Sequence, residues 1–447
     1  MTIDPIREQL ERAGFAPDDA ASRTRIFDET IAAHVTMTGR RPDRAWFVPG
    51  RIEIFGKHTD YAGGQSLVAA VPRGFAIVAS HRDDGRVRLV DAQWRESIEL
   101  DPTDHTRVFT GWTNYVAVVA RRLAMNFPGA ALGADIAIKS DVPRAAGVSS
   151  SSALVVGVAS VLVDRGRLQE RPEWLAAIRS RLDMAGYLGA VENGLAFPGL
   201  AGASGVGTHG GSEDHTAILA SQPDRVGAYA YVPVRQLSDA PMPQAWRFII
   251  MTSGVHADKA GGVRDRYNRA SLLTRALLDL WQSRVSDQPS TLAAALASDP
   301  QAEGHLRDLA LGGHGGYAGD DLVRRLAHFV RENARVGVAV EAFRGADEIT
   351  LGSLSAASQH DASALLGNQV PETDALAQLA REAGAFAASS FGAGFGGSVW
   401  ALVPADRVTA IAERWRTAYR AAHPDAKRIE WFAARPAPGA MDLTLSE

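Results

Sequence analysis

Three glycine-bearing segments concentrate the residues whose types and spacing could do chemistry. The first, Pro49–Gly64 (PGRIEIFGKHTDYAGG), packs Arg51, Lys57, His58, Asp60 and Tyr61 into a strand end and the turn after it. Arginine offers a fixed fork of donors, ionised aspartate only accepts, and histidine does either. A turn of that make-up suits a polyhydroxylated ligand, although an ordinary polar turn has the same composition. The second, Val142–Ala153 (VPRAAGVSSSSA), lies between a strand pattern and an apolar helix pattern. Free backbone amides at a helix N-terminus and the helix dipole both favour phosphate there. Serine is also a common N-cap, but four in succession exceed what one cap uses. The Gly-Lys-Ser/Thr ending of a Walker A loop is missing. The third, Phe391–Ser398 (FGAGFGGS), precedes the apolar run Val399–Val403. Gly392, Gly394 and Gly397 fit GxGxxG, as do Gly205, Gly207 and Gly210. Neither match falls between the strand and helix of a βαβ unit, so a dinucleotide site is a weak reading. A tight loop supporting the phosphate site is the better one.

Two acids stand near these segments: Glu192 at the end of a helical pattern, and Asp214 in GSEDHTAI. His58, His209, His215 and His256 show no metal-ligand spacing, so no structural zinc is expected. No Ser-His-Asp arrangement is evident. The composition narrows the field further. The chain has 447 residues, 46% of them apolar and 22% charged, with a net charge of −4. Such a chain can bury a sizeable core, and it lacks the basic surface that nucleic acid requires. Cysteine is absent, which removes disulfides and thiolate chemistry. No secretory leader or membrane-length apolar run is visible. The expectation is a soluble, cytoplasmic protein without nucleic-acid or membrane partners, acting as a monomer.

The elements that must position these residues read as a mixture of strands and helices. Two helical patterns fill residues 1–38, broken near Gly14–Asp18. Strands are expected at Ala45–Phe55, with Ile52 and Ile54 on one face and Glu53 and Phe55 on the other, and at Phe75–Ser80. Asp84-Gly85 reads as a hairpin turn before Val87–Val90. Ala134–Lys139 is a further strand. Helices are expected at Ala153–Val163 and Leu175–Ala190, followed by a Gly-rich loop from Gly194 to Gly211. The second half opens with a strand at Arg247–Thr252 and helices near Gly261–Ser283 and Asp320–Phe343, then alternates across Glu372–Ala433. Elements mixed in this way favour α+β layers. The Pro-rich Ser238–Pro243 is the expected boundary between lobes spanning 1–237 and 244–447.

Taken together, these segments resemble the galactokinase branch of the GHMP small-molecule kinases. PGRIEIFGKHTDYAGG looks like that family's sugar signature, PGR-x-x-x-x-GEHTDY-x-x-G. VPRAAGVSSSSAL resembles its phosphate loop and FGAGFGGSVWAL its C-terminal glycine loop. Thr252–Arg269 (TSGVHADKAGGVRDRYNR) is similar to the stretch with a sugar-contacting tyrosine, and Gln369–Ala380 to the approach to the last motif. The resemblance implies a two-lobed α+β GHMP kinase fold, with a ribosomal-protein-S5-domain-2-like N-terminal lobe and a ferredoxin-like C-terminal lobe. It implies transfer of the ATP γ-phosphoryl group to a sugar hydroxyl, the anomeric one, with Mg²⁺ as cofactor.

Carried over by position, it makes Asp214 the acceptor of the sugar proton and Arg51 its partner. A neighbouring guanidinium should lower the pKa of such an acid, leaving most of the rate to positioning and electrostatics. Lys57, His58, Asp60, Gly211 and Tyr267 match the sugar pocket. Gly147, Ser149, Ser150 and Ser151 match the ATP-phosphate loop, and Ser151 and Glu192 the metal side. This chain departs from the family where Lys57 replaces Glu, where GSEDH replaces GIMDQ, and where Ala145-Ala146 replaces glycines. Its loop between Glu192 and Asp214 is longer. Lys57 is expected at the sugar's C6 end, favouring a uronic acid, or else turned out to solvent. Two rival functions are a non-catalytic sugar- and ATP-binding regulator and a GHMP kinase for a non-sugar alcohol.

Overall fold

The computed structural model describes residues 5–143, 147–255, 262–285 and 288–445. The Ala145-Ala146 departure and His256 therefore lie outside the described residues. Helices α1 (Pro5–Arg12) and α2 (Pro17–Thr38) precede strands β1 (Arg44–Phe55), β2 (Gln65–His81), β3 (Val87–Asp91) and β4 (Glu96–Leu100). Then follow α3 (Trp112–Asn126), β5 (Ala134–Ser140), α4 (Ser150–Arg165), α5 (Pro172–Ala177), α6 (Arg181–Asn193) and α7 (Glu213–Ala220). After β6 (Arg225–Ala230), β7 (Arg235–Pro241) and β8 (Trp246–Thr252) comes a helical stretch. It comprises α8 (Gly262–Gln282), α9 (Leu292–Ala297), α10 (Ala302–Ala310), α11 (Gly319–Arg344), α12 (Glu348–Asp361) and α13 (Pro371–Glu382). The chain ends in β9 (Ala387–Ser390), β10 (Ser398–Pro404), α14 (Val408–Ala422), β11 (Trp431–Ala434) and β12 (Met441–Leu443).

Two sheets organise these elements. The larger runs β12-β1-β2-β5-β3-β4, with β6 also paired to β2 and β7 to β6; the smaller runs β11-β8-β10-β9 and is antiparallel throughout. Helices α3, α4 and α6 share one core with the large sheet, while α13 and α14 pack on the small one. A further core joins the two sheets directly: Ile52, Ile54 and Leu67 meet Phe248, Ile250 and Trp400, with Val336 and Val340 of α11. Apolar area removed from water at that junction fixes one sheet against the other.

Several expectations are corrected here. Strand β3 pairs with β4 and, in parallel, with β5, so Asp84-Gly85 is not a β2–β3 hairpin turn. A bulge between Glu53 and Phe55 breaks the alternation of β1, and Phe55 joins Ile52 and Ile54 in the inter-sheet core. The expected helix Leu175–Ala190 is split between α5 and α6, where Ser180 caps α6 by accepting from the Asp183 amide. Ser238–Pro241 is strand rather than linker, being the end of β7 paired with β6. The C-terminal β12 returns to pair with β1, so 244–447 does not form one lobe by itself. No described helix is long and apolar enough to cross a membrane.

Candidate active site

Strand β1 lies between β12 and β2, and all but its first residue are buried. Arg51 and Glu53 are two residues apart on it and face the same side. Arg51 Nε donates to Asp214 Oδ1 at 2.7 Å, and its Nη1 donates to the Gly147 carbonyl at the head of the serine turn. Glu53 Oε2 accepts the Gly392 amide at 2.6 Å. A Cβ on Gly392 would fall 2.4 Å from the Glu53 carboxylate, so that close approach requires glycine. One strand thereby holds the serine turn, the acidic helix α7 and the C-terminal glycine loop together. A single cavity of about 1230 Å³ receives Arg51 and Asp214, His58, Asp60, Gly211 and Tyr267, and also Gly147, Ser149, Ser150, Ser151 and Glu192.

Helix α7 is short, and its orientation comes from another motif. Asp60 Oδ2 accepts the Glu213 amide at 3.1 Å, supplying the first turn with the acceptor that Ser212 does not. A Cβ on Gly211 would stand 2.3 Å from that same oxygen. The Asp214 side chain is 23% exposed against 5% for Arg51, so the carboxylate reaches the cavity and the guanidinium backs it. His58, at φ 57°, turns its ring towards Tyr267, with centroids 4.9 Å apart, and its Nδ1 meets the Tyr61 hydroxyl at 2.9 Å. The long Gly-rich loop is pinned at its end: Asn193 Oδ1 accepts the Gly210 amide at 2.7 Å, and Asn268 of α8 accepts from His209 at 2.8 Å.

The serine turn does not serve as an ordinary cap. Ser149 holds φ 60°, its hydroxyl caps nothing, and its buried Oγ has no hydrogen-bond partner among the described residues. The first turn of α4 thus borders the cavity, where free helix amides fit an anion. Glu192 and Ser151 also line the cavity and carry oxygens, the ligand type a hard divalent cation takes when phosphate and water complete its shell. Glu192 Oε2 also lies 3.0 Å from His215 Nε2 and accepts from Ser152 Oγ at 3.1 Å.

The electrostatics are lopsided. Burial alone would lower the Arg51 pKa, but the carboxylates of Asp214, Glu53 and Glu213 outweigh it and raise it. Burial pushes Glu53 up to about 7 against the pull of Arg51 and Lys57. Glu213 is raised well above the carboxylate range, first by burial and then by Glu53 and Asp60. One guanidinium therefore faces more carboxyl groups than it can neutralise.

Lys57 is the clear correction. Its side chain is fully buried, does not line the cavity, and donates to Ser358 Oγ at 2.8 Å and Ser389 Oγ at 2.5 Å. Ser358 in turn donates to Glu332 Oε1 at 2.9 Å, an oxygen that also accepts the Gly56 amide. The ammonium therefore neither meets a sugar C6 group nor swings into solvent. It ties the turn to α11, α12 and β9, because a buried cation needs these acceptors. Two features escaped the sequence reading. Trp94, Phe109, Trp112 and Tyr115 line the same cavity. Ser152, the fourth serine, reaches both Glu192 and Asp214. The aromatic group had a legible cue in GWTNY at the start of α3, whereas nothing local marked Ser152 apart from its neighbours.

Comparison with known proteins gives the arrangement a context. The galactokinase galactose-binding signature matches residues 32–81, the GHMP kinases N terminal domain 114–190 and the GHMP kinases C terminal model 339–421. A galactokinase of Chloroflexus aurantiacus is 31% identical over 383 residues, covering 85% of this chain and 89% of its own. One from Actinobacillus pleuropneumoniae is 29% identical over 378 residues, with 81% and 85% covered. The crystal structure of Lactococcus lactis galactokinase complexed with galactose superposes with a TM-score of 0.73 at 25% identity, over 93% of this chain and 99% of that one.

Proposed function

This chain belongs to the galactokinase family of GHMP kinases, and from that membership and the site geometry we propose a neutral, galactose-like hexose as its substrate. It is a phosphotransferase with an alcohol acceptor and uses ATP. The observation that carries the reading is Arg51, which joins Asp214 and the serine turn within one cavity.

In this reading the sugar lies against His58, Asp60, Gly211 and Tyr267, with its anomeric hydroxyl at Asp214. The hydroxyl oxygen forms the new bond to the γ-phosphorus, the bond from that phosphorus to the β–γ bridging oxygen breaks, and ADP leaves. The hydroxyl proton passes to Asp214. Arg51 holds that carboxylate in place through its Nε donation, so positioning and fixed charge supply most of the rate. The amides of α4, with Ser149 and Ser150, take the phosphates, and the aromatic group around Trp112 takes the base. Ser151 and Glu192 would hold Mg²⁺, which neutralises charge on the phosphoryl oxygens when bound.

Lys57, fully buried and away from the cavity, offers no cation to a uronic acid carboxylate, which favours a neutral sugar. A coupled ADP-release assay on D-galactose, D-galacturonate, mevalonate and homoserine tests the reading. Turnover of D-galactose at least about 10-fold above the others supports it. Binding of D-galactose with no ADP release from any compound would instead establish a non-catalytic sensor.

Gly211 offers a sharper test of the sugar wall. Its backbone is outside the left-handed region, so alanine is conformationally allowed there, but its Cβ would press on the Asp60 carboxylate and stand 2.8 Å from the Tyr61 backbone nitrogen, so the Asp60–Tyr61 turn must shift. A Gly211→Ala variant is expected to fold and to lose about 10-fold or more in D-galactose affinity by calorimetry, from overpacking of ~1–3 kcal/mol.

A further inference from the structure

Arg325 lies in α11, 1% exposed and outside the cavity. A buried guanidinium stays charged and needs acceptors. Those it meets are the Ala270 carbonyl at 3.0 Å, the His58 carbonyl, the Tyr61 hydroxyl at 3.0 Å and His328 Nδ1 at 3.0 Å. None of these is a carboxylate, so Arg325 holds the turn that carries His58 rather than neutralising an acid. Its Nη2 alone reaches both the His58 carbonyl and the Tyr61 hydroxyl, one hydrogen for each. At φ 57° the His58 backbone occupies a region that non-glycine residues seldom enter, and the first of these bonds helps to hold it there.

The chain of hydrogen bonds has a direction. A guanidinium only donates, so the Tyr61 oxygen accepts from Arg325. Burial pushes the Tyr61 pKa up to about 12, so the hydroxyl keeps its hydrogen. Its polar partners among the described residues are Arg325 and His58 Nδ1, and of these only Nδ1 can accept. The hydrogen therefore goes to Nδ1 at 2.9 Å, which must be bare, and a neutral ring then carries its own hydrogen on Nε2. The pattern repeats on the other side of Arg325, whose Nη1 donates to His328 Nδ1. Burial and then the Arg325 charge lower the pKa of that second ring, which is neutral as well.

We infer that Arg325 and Tyr61 are positioning residues, which fix His58 as the tautomer with its hydrogen on Nε2 and so make it a hydrogen-bond donor in the sugar wall. The inference rests on the galactose-like substrate proposed above. His58 lines the cavity with Asp60, Gly211 and Tyr267. A sugar hydroxyl can donate or accept. A ring whose donor is fixed from behind dictates the choice: the hydroxyl that meets His58 must turn its oxygen to the ring and keep its hydrogen for another partner. Arg325 thus sets the polarity of a wall that it does not touch.

The test labels histidine with ¹⁵N in the wild-type enzyme and in Tyr61→Phe, which removes the hydroxyl and keeps the ring. His58→Asn identifies the His58 signals by their loss. In the wild type those signals are expected to read a bare Nδ1 and a protonated Nε2, and in Tyr61→Phe to move to the average of two tautomers. Calorimetry should find D-galactose bound about 3- to 10-fold more weakly by Tyr61→Phe, the worth of one neutral hydrogen bond. Its kcat should stay within about threefold, as when binding common to ground and transition states is lost. In the His58→Asn background the same change should cost less than about twofold, because Tyr61 acts through His58. Arg325→Met should give the spectrum of Tyr61→Phe, since without that donor the hydroxyl can accept from Nδ1 instead. A wild-type His58 with a hydrogen on Nδ1 overturns the inference whether or not any variant folds. So does a Tyr61→Phe spectrum like that of the wild type. An equal loss of affinity in the His58→Asn background also overturns it, by making Tyr61 a direct sugar contact. A wild type that shows the expected tautomer yet neither binds nor phosphorylates D-galactose overturns the substrate reading instead, and the spectrum keeps the two failures apart.

Discussion

An Asp214→Asn enzyme is expected to bind both substrates and to lose about 10²- to 10⁴-fold in kcat, the range associated with removal of a positioned proton acceptor. The substitution keeps shape and leaves an amide oxygen for Arg51 Nε, which now lies 2.7 Å from the carboxylate. Stability should hardly fall. The Asp214 charge pushes up the pKa of both Glu53 and Glu213, so deleting it relieves two buried carboxyls. Arg51→Met is the opposite experiment. It would leave Glu53, Glu213 and Asp214 clustered without their guanidinium, and removing one partner of a buried ionic group costs about 3–5 kcal/mol. Single-turnover kinetics with D-galactose and a thermal melt separate the two variants. Asp214→Asn should melt near the wild type and fail at transfer, whereas Arg51→Met should fail at both. An Asp214→Asn enzyme within about threefold of wild-type kcat would remove Asp214 from the chemistry.

How far the sequence could be read depended on how local each signal was. Strand β1 and the helix after the serine turn were legible because period-2 and apolar patterns are short-range. The convergence of three motifs on Arg51 and Glu53 was not, since it depends on pairing across 163 residues to Asp214 and 339 to Gly392. The resemblance to a family supplied that convergence. Helix α7 escaped because eight residues after a glycine-rich loop carry little periodicity, and its cap comes from Asp60 in another motif. The Ser238–Pro243 stretch looked like a linker on composition, yet its Pro241 ends β7, where a missing amide is tolerated at a sheet edge. Side-chain direction was the deepest gap. Neighbouring polar residues in GKHTDY point to opposite sides: His58 takes φ 57° and enters the cavity, while Lys57 goes into the core. Polarity alone cannot tell those fates apart.

The Lys57 network therefore yields a result in stability rather than specificity. Burial lowers the pKa of this lysine, with Glu332 and then Glu53 acting against that shift, and two serine hydroxyls take its hydrogens. Lys57→Glu would set a carboxylate beside Glu332, whose own oxygens already serve the Gly56 amide, Ser358 and Arg335. Two acids would then share a dry site with one cation, Arg335, which is also bound to Asp361. The expected loss is about 3–5 kcal/mol in urea unfolding, the cost of leaving a buried charge uncompensated. Lys57→Met should lose less, because Glu332 keeps Arg335 and a backbone amide. A Lys57→Glu/Glu332→Gln pair should recover part of the loss, since like charges no longer meet. In every variant that folds, the order of preference among D-galactose, D-galacturonate and related sugars should stay that of the wild type. A Lys57→Glu enzyme that melts like the wild type and changes that order would return Lys57 to the sugar site and overturn the burial account.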